Sequence, residues 1–188
     1  TGSAEGWPGL FCSCDICKRS RIVRGKNLRS RSSALIDGVL KIDFPPDTFY
    51  HVAHMGLNLT DIELLAFTHA HDDHLAPAEF QYASAFFVPE VNENPLTVLG
   101  SSSVLNKIRG WVDIEDLPFD LVQMDAWKSY DYGRWNIIPI MAQHAPSQVC
   151  FNLIVSDGTS TLLYATDTGW YHQETWDFIS NFRFDGAV

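Results

Sequence analysis

The sequence predicts a mixed α/β fold in one domain, and three observations carry that reading. Short apolar runs, such as residues 64–67 and 96–100, alternate with helical patches opened by Ser, Asp or Pro. A dense polar cluster, Thr68-His69-Ala70-His71-Asp72-Asp73-His74, begins where the first of these runs ends, and Leu75-Ala76-Pro77-Ala78-Glu79 then reads as a helix start. A strand end opening into a helix is where α/β proteins place their chemistry. Finally, 188 residues that are 46% hydrophobic suffice for one sizeable core and do not suggest two.

Taken in order, residues 1–9 are rich in turn formers and form a loop leading to Cys12-x-Cys14-x-x-Cys17. An odd, tight cysteine cluster suits a metal better than a disulfide framework, and implies a reducing, hence cytoplasmic, compartment. A structural zinc bound there needs a fourth ligand from elsewhere. Cys150, inside the apolar run 149–155, reads as a small buried hydrophobe rather than that ligand. Residues 18–31 hold the basic run of the chain (Lys18, Arg19, Arg21, Arg24, Lys26, Arg29 and Arg31). It reads as a solvated connection, with a phosphate-facing patch as the alternative.

Residues 33–36 and 39–43 form a hairpin around Asp37-Gly38. Residues 47–55 fit a short helix capped by Asp47 and stopped by Gly56. His51 and His54, inside it without a carboxylate companion, read as surface or packing residues. A helical patch at 77–85, a strand at 96–100 and a helix from the Ser101-Ser102-Ser103 cap to about 111 follow. Next come a strand at 121–126 and, past the turn Asp131-Tyr132-Gly133, a run at 135–144. A second hairpin, 149–155 with 161–165, turns at Asp157-Gly158, and an amphipathic helix covers about 173–182. There is no repeat, low-complexity tract or linker.

The balance of charge excludes some functions. A net −10 with pI near 4.9 weighs against a protein that coats nucleic acid. No apolar run approaches the roughly 18 residues of a membrane span, and no signal peptide is evident.

The chemistry concentrates in the central cluster. Residues two apart on a strand face the same way, so His69 and His71 can converge on one ion. Asp73 and His74 follow the turn and can face a second ion beside it. Imidazole and carboxylate suit zinc, manganese or iron. Asp72 reads instead as a solvated or helix-capping carboxylate. His144 and Asp167 also end strands, and gathering of these ends on one edge brings them into the same pocket. Thr68 and Thr168 are placed to fix ligand geometry.

The series His69-x-His71-x-Asp73-His74, His144 and Asp167 closely resembles the metal ligands of the metallo-β-lactamase superfamily, over nearly the whole chain. That resemblance implies an αββα sandwich with two metals at one edge. His69, His71 and His144 would hold the first, Asp73 and His74 the second, and Asp167 would bridge them. The opening Gly2-Ser3-Ala4-x-Gly6 with Cys12, Cys14 and Cys17 is similar to the PhnP group, phosphodiesterases that open a cyclic phosphate on phosphoribose. In that group the three cysteines and a late histidine hold a structural zinc. The biosynthetic protein PqqB has a similar cysteine knuckle but is typically degenerate at the second histidine, whereas His71 is intact, which favours a hydrolase.

The resemblance also implies a strand before Gly2, a further histidine for the second ion, a fourth cysteine-site ligand and an acid–base residue beyond Val188. The single domain is therefore expected to be truncated at both ends. The expected activity is hydrolysis of a small cyclic phosphodiester by a hydroxide bridging two zinc or manganese ions, with Asp73 holding its ion and orienting the nucleophile. Alternatives are another hydrolase of this fold (thioester, lactam or RNase Z-like) or a non-hydrolytic PqqB-like accessory protein. The expected partner is a small phosphate ester. A homodimer is left open, and nucleic acid and membrane are not expected.

Overall fold

A computed structural model describes residues 2–88, 90 and 94–188, so Thr1 of the opening loop lies outside the described residues. The order is α1 (Asp15–Val23), β1 (Ala34–Ile36), β2 (Leu40–Ile42), α2 (Thr48–Met55), β3 (Leu64–Ala66), β4 (Leu96–Gly100), α3 (Ser102–Arg109) and β5 (Phe119–Gln123). It continues with β6 (Tyr130–Tyr132), β7 (Trp135–Met141), β8 (Phe151–Ser156), β9 (Thr161–Tyr164), α4 (Gln173–Ile179) and β10 (Gly186–Ala187).

Two five-stranded sheets result, ordered β1-β2-β3-β4-β5 and β10-β9-β8-β7-β6. In the first, β2 through β5 are parallel and β1 closes the edge as an antiparallel hairpin partner of β2. Parallel strands are covered on both faces, which is why β2 and β3 are buried at every position. The second sheet is antiparallel from β6 to β9, with β10 added in parallel.

Alternation along each strand sorts the side chains into layers. Leu40, Ile42, Leu64 and Leu99 of the first sheet meet Trp135, Ile137, Phe151, Leu153 and Val155 of the second between the sheets. On the outer face of sheet one, Leu65, Phe67 and Val98 pack on Val104, Leu105 and Ile108 of α3. On the outer face of sheet two, Ile140 and Ile154 pack on Ile179 of α4 and the neighbouring Tyr171. Each fully buried aliphatic or aromatic side chain contributes about 1.5–3 kcal/mol relative to exposure. The layering is αββα.

The structure meets the local expectations unevenly. Asp37 and Gly38 both have positive φ (49° and 77°), as the two-residue hairpin turn requires. Gly56 stops α2 in the left-handed conformation, and the Ser101 hydroxyl accepts from the Val104 N–H to cap α3. Asp47 precedes α2 but caps nothing with its side chain, which instead pairs with the Arg31 guanidinium at 2.9 Å. Residues 77–83 wind as a 3₁₀ segment rather than an α-helix. Part of the run expected as a solvated connection is helical, because α1 starts on the cysteine cluster and Arg21 donates to the Cys12 and Gly9 carbonyls. The strands around the Asp131 turn also divide: β5 joins the first sheet, while β6 and β7 belong to the second.

Candidate metal centre

The centre lies past the end of β3, where Phe67 and Thr68 lead into the histidine loop. Three imidazole nitrogens converge there. His69 Nε2 lies 3.0 Å and His144 Nε2 3.1 Å from His71 Nδ1. A ring nitrogen holds one hydrogen or one lone pair, so one atom cannot satisfy both neighbours by hydrogen bonding alone. The edge of a tetrahedron around an ion about 2.0–2.1 Å from each nitrogen is about 3.4 Å, close to these separations. The donor set fits a divalent ion.

A second group joins His69 to His74 and Asp167, with one ligand atom from each lying within 4.8 Å of the others. His74 Nε2 is 2.5 Å from Asp167 Oδ2 and 3.5 Å from Asp73 Oδ2. The expected residues His69, His71, Asp73, His74, His144 and Asp167 are thus brought together at one edge. The histidine loop follows β3 of the first sheet, and His144 and Asp167 follow β7 and β9 of the second, so both sheets contribute. His69 and His74 are buried, whereas His144 and Asp167 are exposed on the open side.

A residue that sequence reasoning passed over anchors this arrangement from beneath. Asp43, fully buried after β2, accepts the Thr68 backbone N–H at 2.8 Å, the Thr68 hydroxyl at 2.9 Å and His74 Nδ1 at 2.6 Å. The Thr68 hydroxyl, donating to Asp43, accepts from His69 Nδ1 at 3.0 Å. Both buried rings therefore have Nδ1 committed to the protein and leave Nε2 as the atom turned to the centre, the arrangement by which outer carboxylates orient metal-binding histidines. Asp43 carried the signal that marked His144 and Asp167, a ligand-type residue closing an apolar run, ahead of Pro45-Pro46. Asp43 and Asp167 both take positive φ (58° and 52°), a conformation aspartate tolerates better than most residues.

The electrostatics agree. Burial, with repulsion from His74, His71 and His144, drives His69 down to about 3 and holds it neutral. Burial and His144 lower His71 as well. Burial disfavours charge on His74 too, but the hydrogen bonds with Asp167 and Asp43 outweigh it and raise the ring to about 10. The His74 contact holds Asp167 below the usual carboxylate range, while burial pushes Asp43 up against the pull of its donors. Without an ion, His74 carries a proton where a cation would otherwise sit.

The remaining expectations sort cleanly. Asp72 pairs with Lys107 of α3 at 2.6 Å and stays exposed. Thr168 donates no bond to a ligand ring; its hydroxyl accepts the Gln143 N–H at 3.0 Å and fixes the chain beside His144. His54 packs against Tyr50, with ring centroids 4.8 Å apart. Cys12, Cys14 and Cys17 form a separate donor group at the start of α1. The Cys14 thiol sits below its usual range because its sulfur accepts the Cys17 N–H. Cys150 is buried and outside that group.

Comparison with known proteins agrees with the fold. A search of curated protein sequences gives no significant match. A diphosphatase of the PhnP family superposes with a TM-score of 0.73 at 16% identity, over 95% of this chain and 67% of that one. Zinc-bound PqqB from Methylobacterium extorquens gives 0.70 at 13% identity, over 95% and 67%. The short form of human tRNase Z gives 0.64 at 14% identity, over 85% and 70%. The chain thus spans about two thirds of the length of these structures. Among the described residues, no helix is long and apolar enough to cross a membrane. A family model for the beta-lactamase superfamily domain matches residues 34–184, and with the two-sheet sandwich and the donor groups at its edge it places this chain in the metallo-β-lactamase superfamily, with a PhnP-like fold.

Proposed function

We propose that this protein is a metal-dependent phosphodiesterase acting on a small cyclic phosphate ester. The observation that carries the reading is that the two donor groups share His69, so that two divalent ions held there would be neighbours. Paired ions suit in-line displacement at phosphorus, supplying Lewis acidity and lowering the pKa of water from 15.7 towards about 7. His69, His71 and His144 would hold one ion; His74 and Asp73 the other; and Asp167 would face both. Zinc and manganese both suit this set. The PhnP-family neighbour is a diphosphatase, and that likeness supports phosphoryl chemistry.

The chain's own residues divide the work. Asp43 and Thr68 keep His69 and His74 in the tautomer that offers Nε2 outward. Asp73, part-buried beside His74, is placed to hold its ion and accept a hydrogen bond from the attacking water. Exposed His144 and Asp167 mark the side from which substrate would arrive. We assign a structural zinc to Cys12, Cys14 and Cys17, whose thiols would be held as thiolates at the head of α1.

The test is a substrate panel on the metal-loaded protein: cyclic phosphate, bis-aryl phosphate and diphosphate against thioester, lactam and precursor tRNA. Turnover of a phosphate diester is expected. His71→Ala should abolish it while the circular dichroism spectrum stays unchanged. Full activity in that variant would overturn the assignment, and so would exclusive turnover of thioester or lactam.

A further inference from the structure

A cleft of about 640 Å³ opens on the outer side of sheet one, between the segment around 25–35, β2 and α2. It contains none of the donor residues of the metal centre. Lys26, Arg29, Arg31 and Lys41 all line it, and none of its lining residues is Asp or Glu. In a chain with 23 acidic and 13 basic residues, such segregation is a strong local departure from the average. The basic run of the sequence, which the metal centre does not use, forms one wall.

Lys41 is the decisive member. Its side chain is 1% exposed, in a strand whose other residues, Leu40 and Ile42, turn to the inter-sheet core. No carboxylate pairs with it among the described residues. Its ammonium donates to the Ser33 hydroxyl at 2.5 Å and to the Asp43 carbonyl at 2.7 Å, which commits two of its three N–H groups. Ser33 lines the same cleft, and the Lys41 charge, second to burial, depresses His51 on the opposite wall. Lys41 lines this cleft and also the neighbouring cavity walled by Phe44 and Phe80, with its ammonium 5.6 Å from the centre of the Phe44 ring. Arg31 is committed to Asp47 and the Ala4 carbonyl, whereas the Arg29 backbone pairs with Trp7 and the side chains of Lys26 and Arg29 make no hydrogen bond or ion pair among the described residues. Burying an ammonium is costly; the Asp43 charge offsets part of that cost, and an anion placed here offsets more of it. Leu28, Leu35, Met55 and Leu57 supply an apolar part of the lining beside the Tyr50 ring, and Ser30, Ser33 and His51 a neutral polar part.

We infer that this cleft is a second ligand site, separate from the metal centre, that takes a small phosphate-bearing molecule with an apolar or aromatic body. The phosphate lies against Lys41 and Arg29, with Lys26 at the mouth, and the body lies on Leu35, Met55 and Tyr50. The inference stands apart from the proposed hydrolysis, because it uses no residue of that centre. Through the Asp43 carbonyl, Lys41 also joins the cleft to the residue that holds His74.

The test is calorimetric titration of the metal-loaded protein with phenyl phosphate and with inorganic phosphate. Two classes of site are expected, one at the metals and one at the cleft, with phenyl phosphate favoured over phosphate at the second. Lys26→Ala/Arg29→Ala, which alters exposed side chains alone, should weaken the cleft class at least tenfold and leave the metal class unchanged. Lys41→Met should also weaken the cleft class. Treatment with a chelator should remove the metal class and leave the cleft class. The inference is overturned if the double variant binds like the wild type, if chelation removes all binding, or if no saturable cleft class exists at millimolar ligand.

Discussion

Asp43 holds more of the centre together than any of the expected ligands, because three donors from two residues end on its carboxylate. Asp43→Ala leaves the Thr68 hydroxyl and His74 Nδ1 without their acceptor and frees both rings to turn. Metal affinity should fall about 10–100-fold, the usual effect of losing an outer carboxylate, measured by competition with a chromophoric chelator. An unchanged affinity would mean that the backbone alone fixes the rings. Lys41, two residues earlier, makes a pH-dependent contribution. Burial lowers it from 10.5 to about 8 in the folded protein. Between those values the unfolded chain binds the extra proton, so the Lys41 contribution to stability rises with pH across that window. The difference corresponds to about 3 kcal/mol. Lys41→Met removes the penalty, so its Tm should exceed that of the wild type at pH 7, and the gap should close as pH rises towards 10.5. Thermal melts across that range check it, and a gap that ignores pH would count against a buried charged lysine.

At the level of elements, the join between β4 and α3 has no room to spare. A Cβ on Gly100 would fall 2.5 Å from Val104 Cγ1 and 2.8 Å from Val104 Cβ. Gly100→Ala must therefore shift α3, at a cost of about 1–3 kcal/mol, read as a lower denaturation midpoint. The shift would reach the centre, since Lys107 of α3 donates to the Ala70 carbonyl inside the histidine loop. The cap and body of α3 were legible because Ser101 and the apolar positions 104, 105 and 108 follow local rules. Helix α1 was not. It buries just Cys17 and Ser20, so its sequence lacks an apolar stripe, and its place is set by the cysteine cluster and the Arg21 bonds. The assignment of β5 and β6 to different sheets was equally hidden, because nothing in an apolar run records which sheet it joins.

For the whole molecule, the six expected donors were legible because each closes an apolar run or follows one closely, and strand ends of one sandwich collect at one edge. Asp43 obeyed the same rule and escaped because its partners, Thr68 and His74, are 25 and 31 residues away. The layers of a sandwich normally lie about 10 Å apart, too far for main-chain bonding. Here they pinch together at the edge that carries the centre, where the Phe151 N–H donates to the Thr68 carbonyl across the gap at 2.8 Å. That single amide belongs to one layer and its acceptor to the other, directly before His69. Its hydrogen–deuterium exchange thus clocks how often the sandwich yawns at this end, independently of fraying along either ladder. Cations that tie the two layers together would slow that clock in proportion to how tightly they are held, which makes one proton a gauge of occupancy that requires no substrate at all.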